Sequence, residues 1–344
     1  MTTQAQPVTQ ATSGQRHSGR TARSSWILYF LGMAALLILL FAVRSNDYWL
    51  NIVTLSFLFG GAAVAWNLIG GFGGQLSLGH GVFFAIGAYT VGILYGQHNW
   101  SVWLCFVVAV PAAMIVAGLT SWPIFRLRGP FFAMATLALN QVAIVLATYF
   151  AGFTGGPQGI TLPFKPSLSS LTFIDRWNSG LVMLVFVAIA VAIANGVSRA
   201  RLGYALRAVR EDDEAAAAAG FSVFRTKMIG MLLSAGLTAI AGCLFATYIG
   251  YIDPSSTLSL ADIGVRFVLI ALLGGTGTVI GPVIGALILI PAITQLQGSL
   301  SGSSPGVSLA AVGLLLVLIP LLLRRGVVGT AVEVTAKMKG RIRR

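Results

Sequence analysis

Long apolar runs separated by short polar stretches fill almost the whole of this 344-residue chain. A helix needs about 20 apolar residues to cross the hydrocarbon core of a bilayer. Ten runs approach that length, at residues 26–43, 50–69, 80–96, 101–122, 130–151, 179–197, 227–250, 262–275, 279–297 and 307–323. The pattern therefore predicts an all-α, polytopic membrane protein with about ten transmembrane helices.

Two glycine-rich stretches interrupt the apolar pattern. The first glycine-rich break is "GGFGGQLSLGHG" at residues 70–81, and the second is "GGTGTVIGP" at residues 274–282; neither carries a formal charge. Irregular backbone at membrane depth is tolerated only where protein buries it or where it lines a water-filled cavity, and paired breaks are typical of transport sites. The glycines could equally serve tight turns and close helix contacts. Both interpretations stay open.

The charged residues support the membrane interpretation and orient the chain. They make up 9% of the sequence, whereas soluble domains carry about 25%. With the N-terminus in the cytoplasm, most of the 22 Lys and Arg residues fall in cytoplasmic segments, as the positive-inside rule requires. Both termini are then cytoplasmic. Because the basic residues form no single patch, the net charge of +13 does not indicate nucleic-acid binding.

The polar segments divide the chain into a membrane domain and two tails. Residues 1–25 lack acids and are rich in Ser, Thr, Gln and Arg, which predicts a disordered cytoplasmic tail, although an organellar transit peptide has the same composition. Residues 26–325 form the predicted transmembrane domain, beginning with a retained helix rather than a cleaved signal. Residues 326–344 form a basic cytoplasmic tail. The longest predicted loops are 199–227 inside and 152–178 outside.

The sequence offers no assembled catalytic, cofactor or metal site. None of the four lysines follows a glycine, so the chain lacks a nucleotide-binding loop of the G-K type. The histidines His17, His80 and His98 are far apart, and Cys105 and Cys243 each lie inside an apolar run. We expect these cysteines to be buried free thiols.

Neutral polar residues within the apolar runs are the remaining candidates for a functional site. They are Asn67, Thr136, Asn140, Gln141, Ser234 and Thr238. Carboxylates, which proton-coupled carriers usually hold inside their helices, are almost absent from the runs. Two interpretations stay open for the neutral groups, namely hydrogen bonds between packed helices or contact with a polar solute. For His80 the alternatives are a hydrogen-bonded histidine near the membrane surface and a gating role.

The stretch "REDDEAAAAAGF" at residues 210–221 holds four of the nine acidic residues. A carboxylate at the centre of a membrane helix costs about 2.5–3.5 kcal/mol, so this segment lies outside the hydrocarbon. Acids suit the first turn of a helix, alanine is the best helix former, and Gly220 is a suitable stop. The sequence predicts a short helix of about nine residues, either stabilised by a partner or simply solvated.

Four stretches carry a resemblance to a transporter family. "EAAAAAG" at residues 214–220 fits the E-A-A-x-x-x-G motif of ABC importer permeases, in which a short coupling helix docks on the ATP-hydrolysing subunit. Residues 201–228 resemble the corresponding loop of branched-chain amino acid (Liv-type) permeases, although Tyr204 stands where that family often has Arg. Three further stretches match in the family's order: "WNLIGGFGGQLSLGHGVFFAIGAYT" (66–90), "RGPFFAMATLALNQV" (128–142) and "LLGGTGTVIGPVIGA" (272–286).

The resemblance implies a permease subunit of an ABC importer in the plasma (inner) membrane of a bacterium, working by alternating access. Residues 199–227 would be its cytoplasmic coupling loop. The residues implied for the ATPase contact are Arg207, Arg210, Glu211, Asp212, Glu214, Ala215, Ala216 and Gly220. The residues implied for the translocation path or its gates are Asn67, Gln75, Ser77, His80 and Asn140. The outer segments 152–178 and 251–261 would meet a binding protein.

The implied partners are a second permease subunit, two ATP-binding subunits that carry ATP and Mg, and an extracytoplasmic solute-binding protein. This chain itself would bind no cofactor. The implied solutes are leucine, isoleucine and valine, with urea, amides or another small solute as the alternative within the family. A self-contained secondary carrier or channel would also be a ten-span apolar protein, and it would need no ATPase. A membrane enzyme lacks support because no titratable groups converge in the sequence.

Overall fold

The computed structural model describes residues 18–127, 129–300, 310, 313–314 and 326–330, with side chains from residue 29 onward. Most of the predicted tenth run, 307–323, and most of both predicted tails lie outside the described residues. Helix α1 begins at Ser18, before the start of the first predicted run.

Helices dominate the described part of the chain. Their bounds are α1 Ser18–Ala42, α2 Asp47–Asn67, α3 His80–Val91, α4 Val102–Ile124, α5 Pro130–Tyr149, α6 Ala151–Thr154, α7 Arg176–Arg199, α8 Arg201–Glu211, α9 Asp213–Ala218, α10 Val223–Ile249, α11 Pro254–Thr257, α12 Arg266–Gly274 and α13 Gly281–Ser299. Seven helical segments among the described residues are long and apolar enough to cross a membrane. The all-α, polytopic prediction is confirmed, and predicted runs such as 80–96 contain shorter helices.

Irregular turns interrupt the helices where the sequence is rich in glycine. A π-helical turn, Leu68–Phe72, extends α2 into the first glycine-rich break, and another, Leu260–Val265, leads into α12. A third, Gly92–Gln97, ends α3, and Gly156–Gln158 is a 3-10 turn. The second glycine-rich break separates α12 from α13. Single π turns of this kind often lie at functional sites.

The core of the fold surrounds α2 and α10. Helix α2 packs against α7, α10, α12 and α13, while α10 packs against α3 and α4. Small residues allow these approaches, because a Cβ at Gly87 of α3 would overlap the carbonyl of Ala239, and one at Gly242 of α10 would overlap the carbonyl of Phe84. Small residues at contact points are what bring membrane helices close together.

Helices α4 and α5 lie at the periphery of the described residues. Helix α4 buries a stripe of mostly small side chains at a spacing of about four residues, and α5 buries only Phe132, Thr136 and Asn140. The remaining faces are mostly apolar and exposed, with Leu119 71% and Val145 65% accessible. These faces are therefore available to lipid or to another subunit.

A short strand pair joins two segments that the sequence predicts as separate outer loops. Strand β1, Ile160–Thr161, pairs antiparallel with β2, Tyr251–Ile252. After β2, Asp253 and Ser256 form a capping box that starts α11. Segments 152–178 and 251–261 thus form one surface, which the turn-rich sequence of the first did not indicate. The cysteine prediction is confirmed, since Cys105 and Cys243 are buried and free.

Candidate functional site

The acidic stretch is divided between two helices. Glu211 ends α8, and Asp212 has extended backbone angles (φ −160°, ψ 120°). The Asp212 carboxylate accepts hydrogen bonds from the backbone N–H of Glu214 at 2.7 Å and of Ala215 at 2.9 Å. Aspartate is a favoured N-cap because it satisfies these otherwise unpaired donors. The prediction of one helix of about nine residues with all acids in its first turn is therefore wrong, and α9 has six residues.

The stop at Gly220 is confirmed. Gly220 has φ +88°, in the left-handed region that glycine adopts without strain. The N–H of Phe221 bonds to the carbonyl of Ala216, and that of Gly220 bonds to Ala217, both at 3.0 Å. This pair of bonds is the Schellman arrangement, which satisfies the last carbonyls of a helix. Both ends of α9 are thus fixed by the local sequence.

A buried cation fastens α9 to the membrane domain. Lys227, in the first turns of α10, contacts Asp213 at 2.6 Å, and their side chains are 7% and 29% exposed. Ala216 faces inward at 3% exposure. The other predicted contact residues of this segment are exposed: Glu211, Asp212, Glu214, Ala215 and Gly220. Helix α9 therefore exposes acidic and small residues while Asp213 and Ala216 hold it against the membrane domain.

Two clefts of about 360 Å³ each flank α9. The first lies between the acidic residues of segment 211–214 and Gln75, Gly129 and Lys227. The second is lined by Phe125, Arg126, Phe224 and neighbouring residues. Gln75, predicted for the path, is thus at the same surface as the predicted coupling residues. Helix α9 therefore protrudes between two clefts and does not lie on a flat surface.

Two of the three arginines of α8, Arg207 and Arg210, bind backbone carbonyls of neighbouring segments, and Arg210 also lines the first cleft beside α9. Arg207 donates from Nη2 to the carbonyl of Ser198 at 2.6 Å and lies 5.0 Å over the ring of Tyr204. It thereby fixes the turn between α7 and α8. Arg210 donates from Nη1 to the carbonyl of Gly71 at 2.9 Å, in the first glycine-rich break.

The two glycine-rich breaks meet at Asn67. This fully buried amide, at the end of α2, accepts from the N–H of Gly277 at 2.9 Å and donates to the carbonyl of Thr278 at 2.8 Å. A Cβ at Gly71 would overlap the Asn67 amide and lie 2.6 Å from the nitrogen of Gly277. The pairing joins residues about two hundred positions apart, a separation that no local pattern reveals. One signal was present, namely an asparagine beside glycines in an apolar run.

His80 and Ser77 belong to a buried hydrogen-bond chain. His80 Nδ1 lies 2.9 Å from Ser77 Oγ, and Nε2 lies 2.8 Å from Ser234 Oγ. Because Ser234 donates its hydroxyl proton to the carbonyl of Ala65 at 2.6 Å, it accepts from Nε2–H, and Ser77 then donates to Nδ1. The chain ties α2, α3 and α10 together, which favours the hydrogen-bonded alternative for His80.

Asn140 docks the buried face of α5 and does not face outward. Its Nδ2 donates to the carbonyl of Leu258 at 2.8 Å, and its Oδ1 has no hydrogen-bond partner among the described residues. Thr136, one turn earlier, accepts from the N–H of Leu78 at 3.0 Å. Of the five predicted path residues, Gln75 borders a cleft and the other four are buried.

Gln141 is an exposed polar residue on α5 that the predicted site omitted. It is exposed, near the middle of a helix whose neighbouring side chains are apolar. It shares a stripe with Met134, Ala138, Val145 and Thr148, all exposed and spaced alternately four and three residues apart. Such spacing places side chains along one face of a helix.

Comparison with known proteins assigns the chain to one family. The family model described as "Branched-chain amino acid transport system / permease component" matches residues 48–320. The chain belongs to this permease family. The matched region contains both glycine-rich breaks, α8 and α9, so all the site residues above lie within it. The chain is therefore a multi-pass membrane protein of a transport family.

Individual relatives agree with the family. The high-affinity branched-chain amino acid transport system permease protein LivM of Escherichia coli (strain K12) is 31% identical over 264 residues, covering 70% of this chain and 61% of the relative. LivH of Salmonella typhimurium is 26% identical over 296 residues, covering 81% of this chain and 94% of the relative. The autoinducer 2 import system permease protein LsrC of Klebsiella pneumoniae is 32% identical over 178 residues, covering 47% and 50%. No solved structure gives a significant match.

Proposed function

We propose that the chain is a permease subunit of a binding-protein-dependent ABC importer that moves leucine, isoleucine and valine into the cell. The observation that carries this proposal is α9, a helix of six residues that is capped at both ends, fastened by Asp213–Lys227 and exposed on its acidic face. A solvated helix of this length would be marginal in isolation. Its rigid mounting supports docking on a soluble subunit that hydrolyses ATP with Mg.

The proposed contact consists of the exposed residues on and around α9. Glu211, Asp212 and Glu214 supply charge, while Ala215 and Gly220 allow close approach. Arg207 and Ala216 would support the contact from behind, and Arg210 lines the cleft beside it. Closure of the ATPase pair would push or pull α8 and α9, and the helices would alternate between two arrangements around the path.

The exposed stripe on α5 supports a second permease subunit as a partner. Exposing a side-chain amide such as Gln141 to hydrocarbon is unfavourable, since nothing there can accept its hydrogen bonds. Across a pair of permeases, Gln141 and Thr148 would face polar groups or a solute instead. Asn140 would then position α5 while Gln141 borders the path.

The surface made by 152–178 and 251–261 is the proposed docking site of an extracytoplasmic binding protein. Residues of the first segment, Arg176 among them, also line a cleft of about 490 Å³ together with Asn51 and Tyr248. The α9 end would face the cytoplasm, and both termini would lie there, in the inner membrane of a bacterium. The concentration of basic residues near α8 and α9 supports this orientation.

Other small solutes are the alternative within the same transport class. The relative named as an autoinducer 2 import permease supports solutes other than amino acids for this family. A self-contained carrier or channel is the alternative from another class. It predicts solute flux without an ATPase.

Reconstitution tests the proposal. The chain, with the proteins that co-purify from its native membrane, is placed in liposomes, and uptake of labelled leucine is measured with and without ATP. We expect uptake only with ATP, ATPase subunits and binding protein, and competition by isoleucine and valine. Flux through the chain alone would overturn the importer assignment, and ATP-dependent uptake of urea or an amide in place of leucine would overturn the solute.

Glu214→Arg tests the contact on α9. Reversing this exposed charge should abolish co-purification of the ATPase subunits, since it puts like charges against a surface complementary to α9. Gly220→Trp should do the same by adding bulk at a left-handed residue. Arg201→Ala, on α8, is the matched control and should leave co-purification intact. Unchanged association in both α9 variants would contradict the assignment.

A further inference from the structure

Arg210 contacts both glycine-rich breaks from α8. Its Nη1 donates to the carbonyl of Gly71 at 2.9 Å. A Cβ at Gly277 would lie 2.9 Å from the same nitrogen, so the second break is within contact distance. The aliphatic stem lies over Gly74, where a Cβ would come within 2.6 Å of Arg210 Cγ. One side chain thus spans the point where the two breaks meet at Asn67.

The helix that carries Arg210 is seated on the same junction. Leu206, one turn earlier and fully buried, lies between Gly73 of the first break and Gly230 of α10, since a Cβ at either glycine would lie 3.2 and 3.1 Å from its Cδ2. Val209 is also buried. Helix α8 therefore presents Leu206, Val209 and Arg210 to the break as one surface.

An exposed acid connects Arg210 to the α9 surface. Arg210 Nε lies 3.7 Å from Glu211 Oε1, and the Glu211 side chain is 78% exposed. The next residue, Asp212, caps α9. A guanidinium can hold several acceptors at once because it has five donors in a fixed plane, which an ammonium lacks. A displacement of α9 would therefore move Asp212 and Glu211, and through the guanidinium of Arg210 it would act on the two glycine-rich breaks.

We propose that Arg210 is a positioning residue that transmits movement of α8 and α9 to the two glycine-rich breaks, and is not a docking residue for the ATPase. The proposal rests on the proposed importer function. Gly74 and Gly277, with φ +67° and +76°, are the backbone positions that can change conformation at small steric cost. Arg210 would make these breaks move together with α9, so that closure of the ATPases changes the conformation of the translocation path.

The test uses the full complex in proteoliposomes and measures three quantities for each variant: ATPase subunits retained, ATP hydrolysed, and solute imported. We expect Arg210→Ala to retain the ATPase subunits and to hydrolyse ATP, while import per ATP falls by about tenfold to a hundredfold, as for loss of one charge-assisted hydrogen bond. Arg210→Lys should fall between it and the wild type. Arg201→Ala, an exposed arginine on the same helix, should match the wild type on all three.

A labelling measurement separates transmission from simple loss of structure. Leu76, in the first break, is 47% exposed, while both native cysteines are fully buried. In a Leu76→Cys chain, ATP should change the rate of maleimide labelling. In Leu76→Cys/Arg210→Ala, the basal rate should stay within about twofold and the ATP-dependent change should disappear.

The outcomes distinguish failure of the transmission role from failure of the importer function. Normal import per ATP in Arg210→Ala, or an unchanged labelling response, would overturn the transmission role. Loss of the ATPase subunits in Arg210→Ala would also overturn it, since Arg210 would then be a docking residue. A wild-type chain that retains no ATPase overturns the proposed importer itself, and with it the transmission role.

Discussion

Helices α2 and α5 are equally apolar along their most apolar stretches, yet 94% of that stretch is buried in the segment Asp47–Phe72 and 17% in Pro130–Tyr149. Each carries amides, and these are used differently. Asn67 of α2 is paired with two backbone groups of the second glycine-rich break, whereas Gln141 of α5 is exposed. Helix α2 also has Gly60 and Gly61, which admit α13 and α7. Apolarity alone therefore does not decide which helix is central.

Small residues and the orientation of the amides divide the helices into two roles. In helix α2, the polar and small residues make contacts with other segments of the chain. Helix α5 buries Phe132, Thr136 and Asn140 on one face and leaves the stripe that contains Gln141 and Thr148 exposed on another. The proposed second permease would cover that stripe.

The largest expected effect is at the amide that joins the breaks. Asn67→Leu leaves the Gly277 N–H and the Thr278 carbonyl without their partner, and each unsatisfied buried group costs about 1–3 kcal/mol. We expect a marked fall in the thermal unfolding temperature of the purified chain in detergent. Gln141→Leu is the matched amide control and should leave it unchanged. Equal effects in the two variants would remove the distinction between α2 and α5.

A smaller effect is expected from crowding α2. A Cβ at Gly60 would already lie 3.2 Å from the Cβ of Ala286, so Gly60→Leu forces α2 and α13 apart. Overpacking of this kind costs about 1–3 kcal/mol. Ala138→Leu adds similar bulk to the exposed stripe of α5 and serves as the control. Thermal unfolding should distinguish the two, and a stable Gly60→Leu chain would refute the close packing.

The smallest effect on the free energy is expected at Gln141. Interhelical hydrogen bonds in membranes contribute about 0.6–2 kcal/mol, so Gln141→Leu should weaken pairing with the second permease by about 3- to 30-fold. Disulfide formation through an introduced Val145→Cys, followed in native membranes, measures the pairing. The same assay with Leu119→Cys on the exposed face of α4 is the control. Undiminished cross-linking in Gln141→Leu would show that Gln141 does not support the pairing, and an absence of cross-linking through Val145→Cys would show that the stripe faces lipid.

Much of the architecture follows from local sequence. Apolar length placed the spans, and Gly220 marked the end of α9 because only a left-handed residue completes that cap. Asp212 was a readable N-cap, but the run of acids also fitted a single first turn, and the competition between these two local solutions decided the structure.

The site itself depended on contacts that local patterns do not encode. Asn67 reaches Gly277, and Arg210 reaches Gly71, each across more than a hundred residues. The exposed side of α5 could not be assigned either, because Asn140 and Gln141 are adjacent and only the packing shows which one faces inward.

The anchors of α5 also bear on the order of assembly during synthesis. Asn140 donates to the carbonyl of Leu258, 118 residues later, and β1, which follows α5, pairs with β2 beyond α10. A nascent chain emerges N-terminus first, so α5 enters the bilayer long before these acceptors exist. If a ribosome stalled before Leu258, α5 would have its contact with Leu78 through Thr136 but would lack the contact of Asn140 with Leu258. The helix proposed to meet the second permease is thus fixed late in translation.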